Sequence, residues 1–261
     1  MVPGGVVVPF VGSTVLFVDP GMTGATGSVY VGLHEFADMA FVLHYLREPD
    51  LFVDVGANVG VYTVLASGFC RAESVAVEPV PKTFQRLLAN VRLNDLERRV
   101  QSLNIGLARD RGTLAFTGSL DTVNHVVSEG EGVGGSTLRV PVMTLDEVLE
   151  GRAPSAIKMD VEGFETEVLA GAVATLGRPE LRALIVELNG SGARYGFDES
   201  SLRQHIESFG FEPYQYEPFA RTLREWDPSE AGGNVLYLRD VREVTERLRT
   251  APMVRVLDRE F

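Results

Sequence analysis

The sequence predicts an α/β fold: a mostly parallel sheet with helices on both faces. Two observations carry this. From residue 51 onward, short apolar runs alternate with amphipathic stretches at helical spacing. The chain has 261 residues and is 45% hydrophobic, which suits one large α/β domain with at most a small extension.

Taken in order, residues 6–10 and 14–18 read as two short strands joined at Gly12-Ser13. A glycine- and threonine-rich loop over 20–28 is expected next. In the helix that follows, Phe36, Ala40 and Leu43 share a face, and Pro49 ends it. Strands are expected at 51–55, 74–78 and 100–105, with helices at 59–67 and from Phe84 to Asn94. Strands at 113–117 and 138–142 flank a polar, glycine-rich insert. Strands at 156–160, 184–188 and 234–238 follow. Phe164, Val168, Leu169 and Val173 mark one intervening helix, and Leu202, Ile206 and Phe209 mark another. The pattern divides into an extension over 1–49 that could cap a pocket, a main domain over 50–240, and a helix and tail over 241–261. In such sheets ligands sit beyond the carboxyl ends of the strands, near the point where strand order reverses.

Formal net charge is -12, which disfavours nucleic acid and anionic membranes as partners. A single cysteine, Cys70, excludes an intramolecular disulfide, and the Cys/His content excludes a zinc ribbon. Pro3, Gly4 and Pro9 break the apolar start, which also lacks a basic segment. It therefore does not read as a secretory leader, no apolar run is long enough to span a bilayer, and a cytoplasmic protein is the expectation.

The segment Asp54-Val55-Gly56-Ala57-Asn58-Val59-Gly60 follows the first strand of the alternating region. Its glycines allow a tight turn and close approach to a ligand. Asn58 occupies the place of the second glycine of a dinucleotide fingerprint, and no Gly-Lys-Ser/Thr follows for a phosphate loop. Asp54 is unfavourable beside a pyrophosphate and favourable beside an ammonium or a sulfonium. Glu78, 24 residues later, ends the next strand, where an acid can accept hydrogen bonds from ribose hydroxyls. The pair suits an unphosphorylated adenosine ligand, and S-adenosylmethionine carries both cations and no phosphate.

Several stretches then resemble the FkbM-type methyltransferases: DVGANVGVYT (54–63), VEPVPKTFQRLLANVRLN (77–94), VPVMTLDEVL (140–149), IKMDVEGFETEVLAGA (157–172) and LIVELN (184–189). The resemblance covers roughly 50–190 and implies a Rossmann-like class I fold with a seven-stranded sheet, and S-adenosylmethionine as cofactor. Carried over, it implies that Asp54, Gly56, Asn58 and Gly60 hold the methionine part and Glu78 the ribose. Asn104 would lie beside the adenine, and Asp160 would lie close to the transferring methyl.

Candidates for the chemistry are few. Asp160, which opens Asp160-Val161-Glu162-Gly163, could serve as base, metal ligand or ammonium contact, or simply cap the next helix. Glu187 is a second catalytic candidate, and Asp160, Glu187 and Asn189 could converge on Mg²⁺. His125, in the polar insert, is a candidate base. Glu35, beside His34, could start a helix or line the cofactor entrance. His44 and His205 read as structural. Tyr195, Phe197, Phe211, Tyr214, Tyr216 and Phe219 read as packing or as a wall for the acceptor, and Trp226 as a loop residue able to cover a pocket. The expected activity is O-methylation of a small molecule such as a sugar or secondary metabolite. N-methylation, a non-catalytic cofactor-binding module and a nicotinamide oxidoreductase are the alternatives. The expected partner is the small-molecule acceptor, and a homodimer is the one assembly considered.

Overall fold

The computed structural model describes residues 5–19, 23–118, 124–128, 137–227 and 233–261. β1 (Val6–Pro9) and β2 (Val15–Val18) form an antiparallel hairpin, followed by α1 (Thr23–Val31) and α2 (Phe36–Tyr45). β3 (Leu51–Val55) leads into α3 (Val61–Val64), whose last turn widens into a π-helical turn over Leu65–Phe69. Next come β4 (Glu73–Val77), α4 (Pro81–Leu93) and β5 (Val100–Leu103). β6 (Gly106–Leu107), β7 (Gly112–Thr117) and β8 (Thr137–Met143) make a separate three-stranded sheet. α5 (Leu145–Leu149), β9 (Ala156–Met159), α6 (Glu165–Ala170), α7 (Val173–Leu176) and β10 (Ala183–Glu187) follow. After a 3₁₀ turn over Ser191–Tyr195 come α8 (Glu199–Glu207), β11 (Glu212–Glu217), β12 (Thr222–Glu225) and β13 (Asn234–Leu238). α9 (Val241–Arg249) and the hairpin of β14 (Arg255–Val256) and β15 (Arg259–Glu260) complete the chain.

The main sheet has the order β12-β11-β13-β10-β9-β3-β4-β5. β3, β4, β5, β9 and β10 pair in parallel, and β13 runs against β10. The sheet carries eight strands rather than the expected seven, because β12 folds back on β11 as an added edge. Strand order reverses between β3 and β9, so the Asp54 and Asp160 loops leave the sheet side by side. Alternation along each central strand divides the core into two layers. Phe52, Ala76, Ala156 and Ile185 pack with α2, α3, α4 and α9 on one face. Val53, Val75, Ile157 and Leu184 pack with α5, α6, α7 and α8 on the other.

α2 belongs to this core. Its residues Met39 to Tyr45 are all buried, so the boundary expected at residue 49 is a change of sequence pattern and not a gap in packing. The loop expected over 20–28 is helical from Thr23, while Pro20 to Met22 lie outside the described residues. The single helix expected after residue 164 is two, split at Gly171. A Cβ there would lie 2.2 Å from the Ala108 carbonyl oxygen, so only glycine lets the β6–β7 turn sit against it. Among the described residues no helix is long and apolar enough to cross a membrane.

Candidate functional site

The loop after β3 is shaped by three residues with positive φ: Gly56 (+75°), Asn58 (+51°) and Gly60 (+85°). The amides of Gly56 and Ala57 both donate to the Val77 carbonyl, which turns the loop toward β4. The third, Gly60, lies over Leu87, where a Cβ would come within 2.4 Å of its Cδ1. Asn58, in the left-handed region that asparagine tolerates, donates its amide to Glu78 Oε2 at 3.0 Å. The other carboxylate oxygen of Glu78 accepts from the Val80 amide at 2.8 Å. Glu78 is thereby fixed at the end of β4, and burial pushes its carboxyl up to about 8 against those two bonds. Asp54 is buried and accepts from Thr63 Oγ1 at 2.6 Å. Burial pushes it up to about 6, opposed by that bond and by Lys158.

Lys158 is a side chain of the cleft that the sequence reading did not single out. It is the register partner of Asp54 across β3 and β9, on the same face of the sheet, and is 2% exposed. Its Nζ lies 3.4 Å from Asp160 Oδ2 and 3.0 Å from Asn234 Oδ1, and it sits over the Tyr62 ring. Burial works against the ammonium, yet Asp160, Glu35, Glu187 and Asp38 together lift it above the ordinary lysine value. The available signal was a lysine in an otherwise apolar four-residue strand, in the same alternation as Ala156.

Asn234 joins this lysine to the N-terminal segment. Its Nδ2 donates to Glu35 Oε1 at 2.8 Å and to Asp38 Oδ2 at 3.0 Å, an orientation fixed because Lys158 can only donate to the amide oxygen. Glu35 Oε2 accepts from Tyr62 Oη at 2.7 Å. Glu35 lines the cleft, and both its oxygens are bonded within the protein.

Three adjoining cavities run along the carboxyl ends of the parallel strands. The first, of about 280 Å³, is lined by His34, Glu35, Asp54, Asn58, Lys158 and Glu187, among others. It shares Gly56, Asn58, Asp160 and Glu162 with a second, whose wall includes Glu78, Pro79 and Phe116. The second shares Gly56, Pro79, Phe116 and Val161 with an apolar slot closed by Leu107, Val126 and Phe164. The trough is thus charged at one end, carries Glu78 in the middle, and offers ring-sized apolar walls at the other. Phe116, Val126 and Phe164 were not among the expected ligand contacts. The side chain of Tyr195 steadies that end by donating to the Val126 carbonyl at 2.7 Å and packing edge-on against Phe164.

Other expected residues are engaged differently from the sequence reading or packed away from the trough. Asn104 lines none of these cavities. It donates to the carbonyls of Glu78 and Pro79 at 2.8 and 3.0 Å and so braces the turn behind Glu78. His125 is buried with its backbone bonded to Thr117, and it does not line the trough's three cavities. Asp160 does not cap α6; its carboxylate faces Lys158, while the loop amides of Val161 and Gly163 donate to Glu165. His44 is structural, bonded to Tyr216 and the Phe261 carbonyl. Trp226 carries the Arg203 guanidinium on its ring.

The metal set also differs. Asn189 accepts from the Ser191 amide and lines a separate cavity, and Glu162 takes its place near Asp160 and Glu187. Burial and then Asp160 push both Glu162 and Glu187 up. With the Lys158 ammonium already against Asp160, the residues present do not fit Mg²⁺.

Residues 54–213 match the methyltransferase FkbM domain family. The hexuronic acid methyltransferase AglP of Haloferax volcanii is 33% identical over 153 residues, 57% of this chain and 59% of that protein, so the match spans less than two thirds of that relative. The 31-O-demethyl-FK506 methyltransferase FkbM of Streptomyces tacrolimicus is 27% identical over 204 residues, 65% of this chain and 78% of that protein. The crystal structure of M. jannaschii TYW2 in complex with AdoMet is 14% identical with a TM-score of 0.47, covering 90% of this chain and 86% of that one.

Proposed function

The chain belongs to the methyltransferase FkbM family, and on that premise we propose that it transfers a methyl group from S-adenosylmethionine to a hydroxyl of a small molecule. The observation that carries the donor is the trough itself. Asp54 stands at its charged end, Glu78 at its centre and an aromatic slot at its far end. In this reading Asp54 and the Gly56–Gly60 loop hold the methionine ammonium, Glu78 accepts from the ribose hydroxyls, and Phe116, Val126 and Phe164 enclose the adenine. The sulfonium supplies an electrophilic methyl carbon. The protein's part is to align the acceptor with it and to take up a proton.

The relatives' names support oxygen as the acceptor atom and a small molecule as its bearer: one is named for hexuronic acid and the other for 31-O-demethyl-FK506. The acceptor enters at the first cavity, where His34, Lys158, Asp160 and Glu187 converge. The test has two arms. Calorimetry with S-adenosylmethionine and with NAD identifies the donor, and saturable binding of NAD alone overturns the proposal. A screen of hydroxylated and amine-bearing small molecules with labelled donor identifies the acceptor, and label found only on nitrogen overturns O-methylation.

A further inference from the structure

We propose that His34, from the segment ahead of the methyltransferase domain, is the general base that accepts the acceptor's hydroxyl proton; this rests on the O-methylation reading above. His34 lines the first cavity together with Lys158, Asp160 and Glu187. Its Nδ1 is 2.9 Å from Ser28 Oγ, a hydroxyl that is itself buried. This bond fixes the ring plane, and the serine hydroxyl can accept from an Nδ1–H. With the proton on Nδ1, the lone pair is on Nε2. That atom is 3.8 Å from Glu35 Oε2, too far for a hydrogen bond. Gly27 backs the ring: a Cβ there would come within 3.1 Å of His34 Cβ, so glycine leaves the imidazole its place.

The neighbouring groups are less available as bases at pH 7. Glu35 is held by Tyr62 and Asn234, and Asp160 faces a permanently charged lysine. Glu187 is pushed toward its protonated form, and Tyr62 donates to Glu35. The charged groups facing His34 are Glu35 beside it, Lys158 on β9 and Asp160 in the loop that follows. Burial outweighs them and holds the imidazole below its ordinary value, so it is neutral at pH 7. As the acceptor oxygen bonds to the methyl carbon, the S–CH₃ pair returns to sulfur and the hydroxyl proton passes to His34 Nε2. About a third of the His34 side chain is open to solvent (34%), so the proton can leave to water before the next turnover.

The chain has four histidines, so ¹⁵N-histidine spectra of the protein saturated with S-adenosylhomocysteine are simple to assign, with His34→Gln identifying the signal. A neutral ring protonated on Nδ1 at pH 7 is expected. A proton on Nε2, or an imidazolium, overturns the proposal without any acceptor in hand. With an acceptor from the screen, His34→Gln should lower kcat about a hundredfold or more while S-adenosylmethionine affinity stays within about twofold, and the acid limb of the pH–rate profile should disappear. Ser28→Ala, which only frees the ring, should lower kcat less with the same unchanged affinity. Wild-type turnover in His34→Gln overturns the proposal. A wild-type protein that binds the donor yet methylates no hydroxyl overturns the O-methylation reading instead.

Discussion

Gly56→Ala tests the feature on which the site depends, the close approach of the β3 and β9 loops. A Cβ on Gly56 would lie 1.8 Å from the Asp160 carbonyl oxygen. That oxygen is backbone, and the Asp160 amide is bonded to the Val55 carbonyl at 3.0 Å, so relief requires prying the two strand ends apart. Gly196 provides the control: it has the same φ of +75° but nothing within 4 Å of an added Cβ. Alanine in the left-handed region costs about 1–2 kcal/mol, of which the stiffer unfolded chain returns about 0.4–1. Gly196→Ala should therefore cost about 1 kcal/mol. Gly56→Ala adds overpacking of about 1–3 kcal/mol and about 1 kcal/mol for the strained strand-end bond, roughly 3–5 in all. At about 2–4 °C per kcal/mol for a chain of this size, the melting midpoint should fall about 6–20 °C for Gly56→Ala and about 2–4 °C for Gly196→Ala. Calorimetric melts of the ligand-free proteins give both numbers. Equal midpoints for the two variants would falsify the contact and with it the geometry of the trough.

Stability should rise as pH falls from 8.5 to 6.5. Burial raises Glu78 to about 8 and Glu165 to about 7, so the folded chain gains protons there that the unfolded chain does not, while His44, depressed to about 4, opposes the trend only below its ordinary value near 6.5. Melts across that range check the sign, and Glu78→Gln should flatten the slope; a midpoint that climbs with pH refutes it. Lys158→Met leaves Asp160, Glu35, Glu187 and Asp38 without their cation, and should cost about 3–5 kcal/mol at pH 8 and less at pH 5, measured by urea unfolding. Asp54→Asn should weaken S-adenosylmethionine binding about tenfold or more by calorimetry, the loss of one charge-assisted contact; unchanged affinity would reassign the loop. A chelator should leave methyl transfer unaltered, because Lys158 already supplies the cation against Asp160; loss of turnover, restored by Mg²⁺, would contradict that assignment.

The parallel strands and their loops were legible because each signal is local. Asp54 and Glu78 end strands, and the glycines between them need positive φ or close packing. Elements read less well where the signal was short or tertiary. α5 has five residues and a Thr144–Glu147 capping box, visible in Thr-Leu-Asp-Glu yet too short for periodicity to register. The β11–β12 hairpin hid in residues taken as aromatic packing, although Tyr214 and Tyr216 alternate with Pro213 and Gln215 as a strand requires. Asn189 failed as a ligand because the turn after β10 uses its side chain to hold the Ser191 amide.

What no single window of sequence carries is the charge balance of the cleft. Asn234 lies 199 residues from Glu35, and no periodicity links them; they meet because β13 pairs with β10 at Glu187↔Asn234, while α2 packs on the face that Asp54 and Lys158 share. The result is a buried ammonium whose charge is fixed by four acids from three separate stretches of chain. A methyl transfer that neutralises a sulfonium benefits from surroundings whose own charge does not move. With Lys158 held charged and Glu35 bonded in place, the proposed proton acceptor His34 stands outside that network, on the same N-terminal segment that braces it through Glu35 and Asp38.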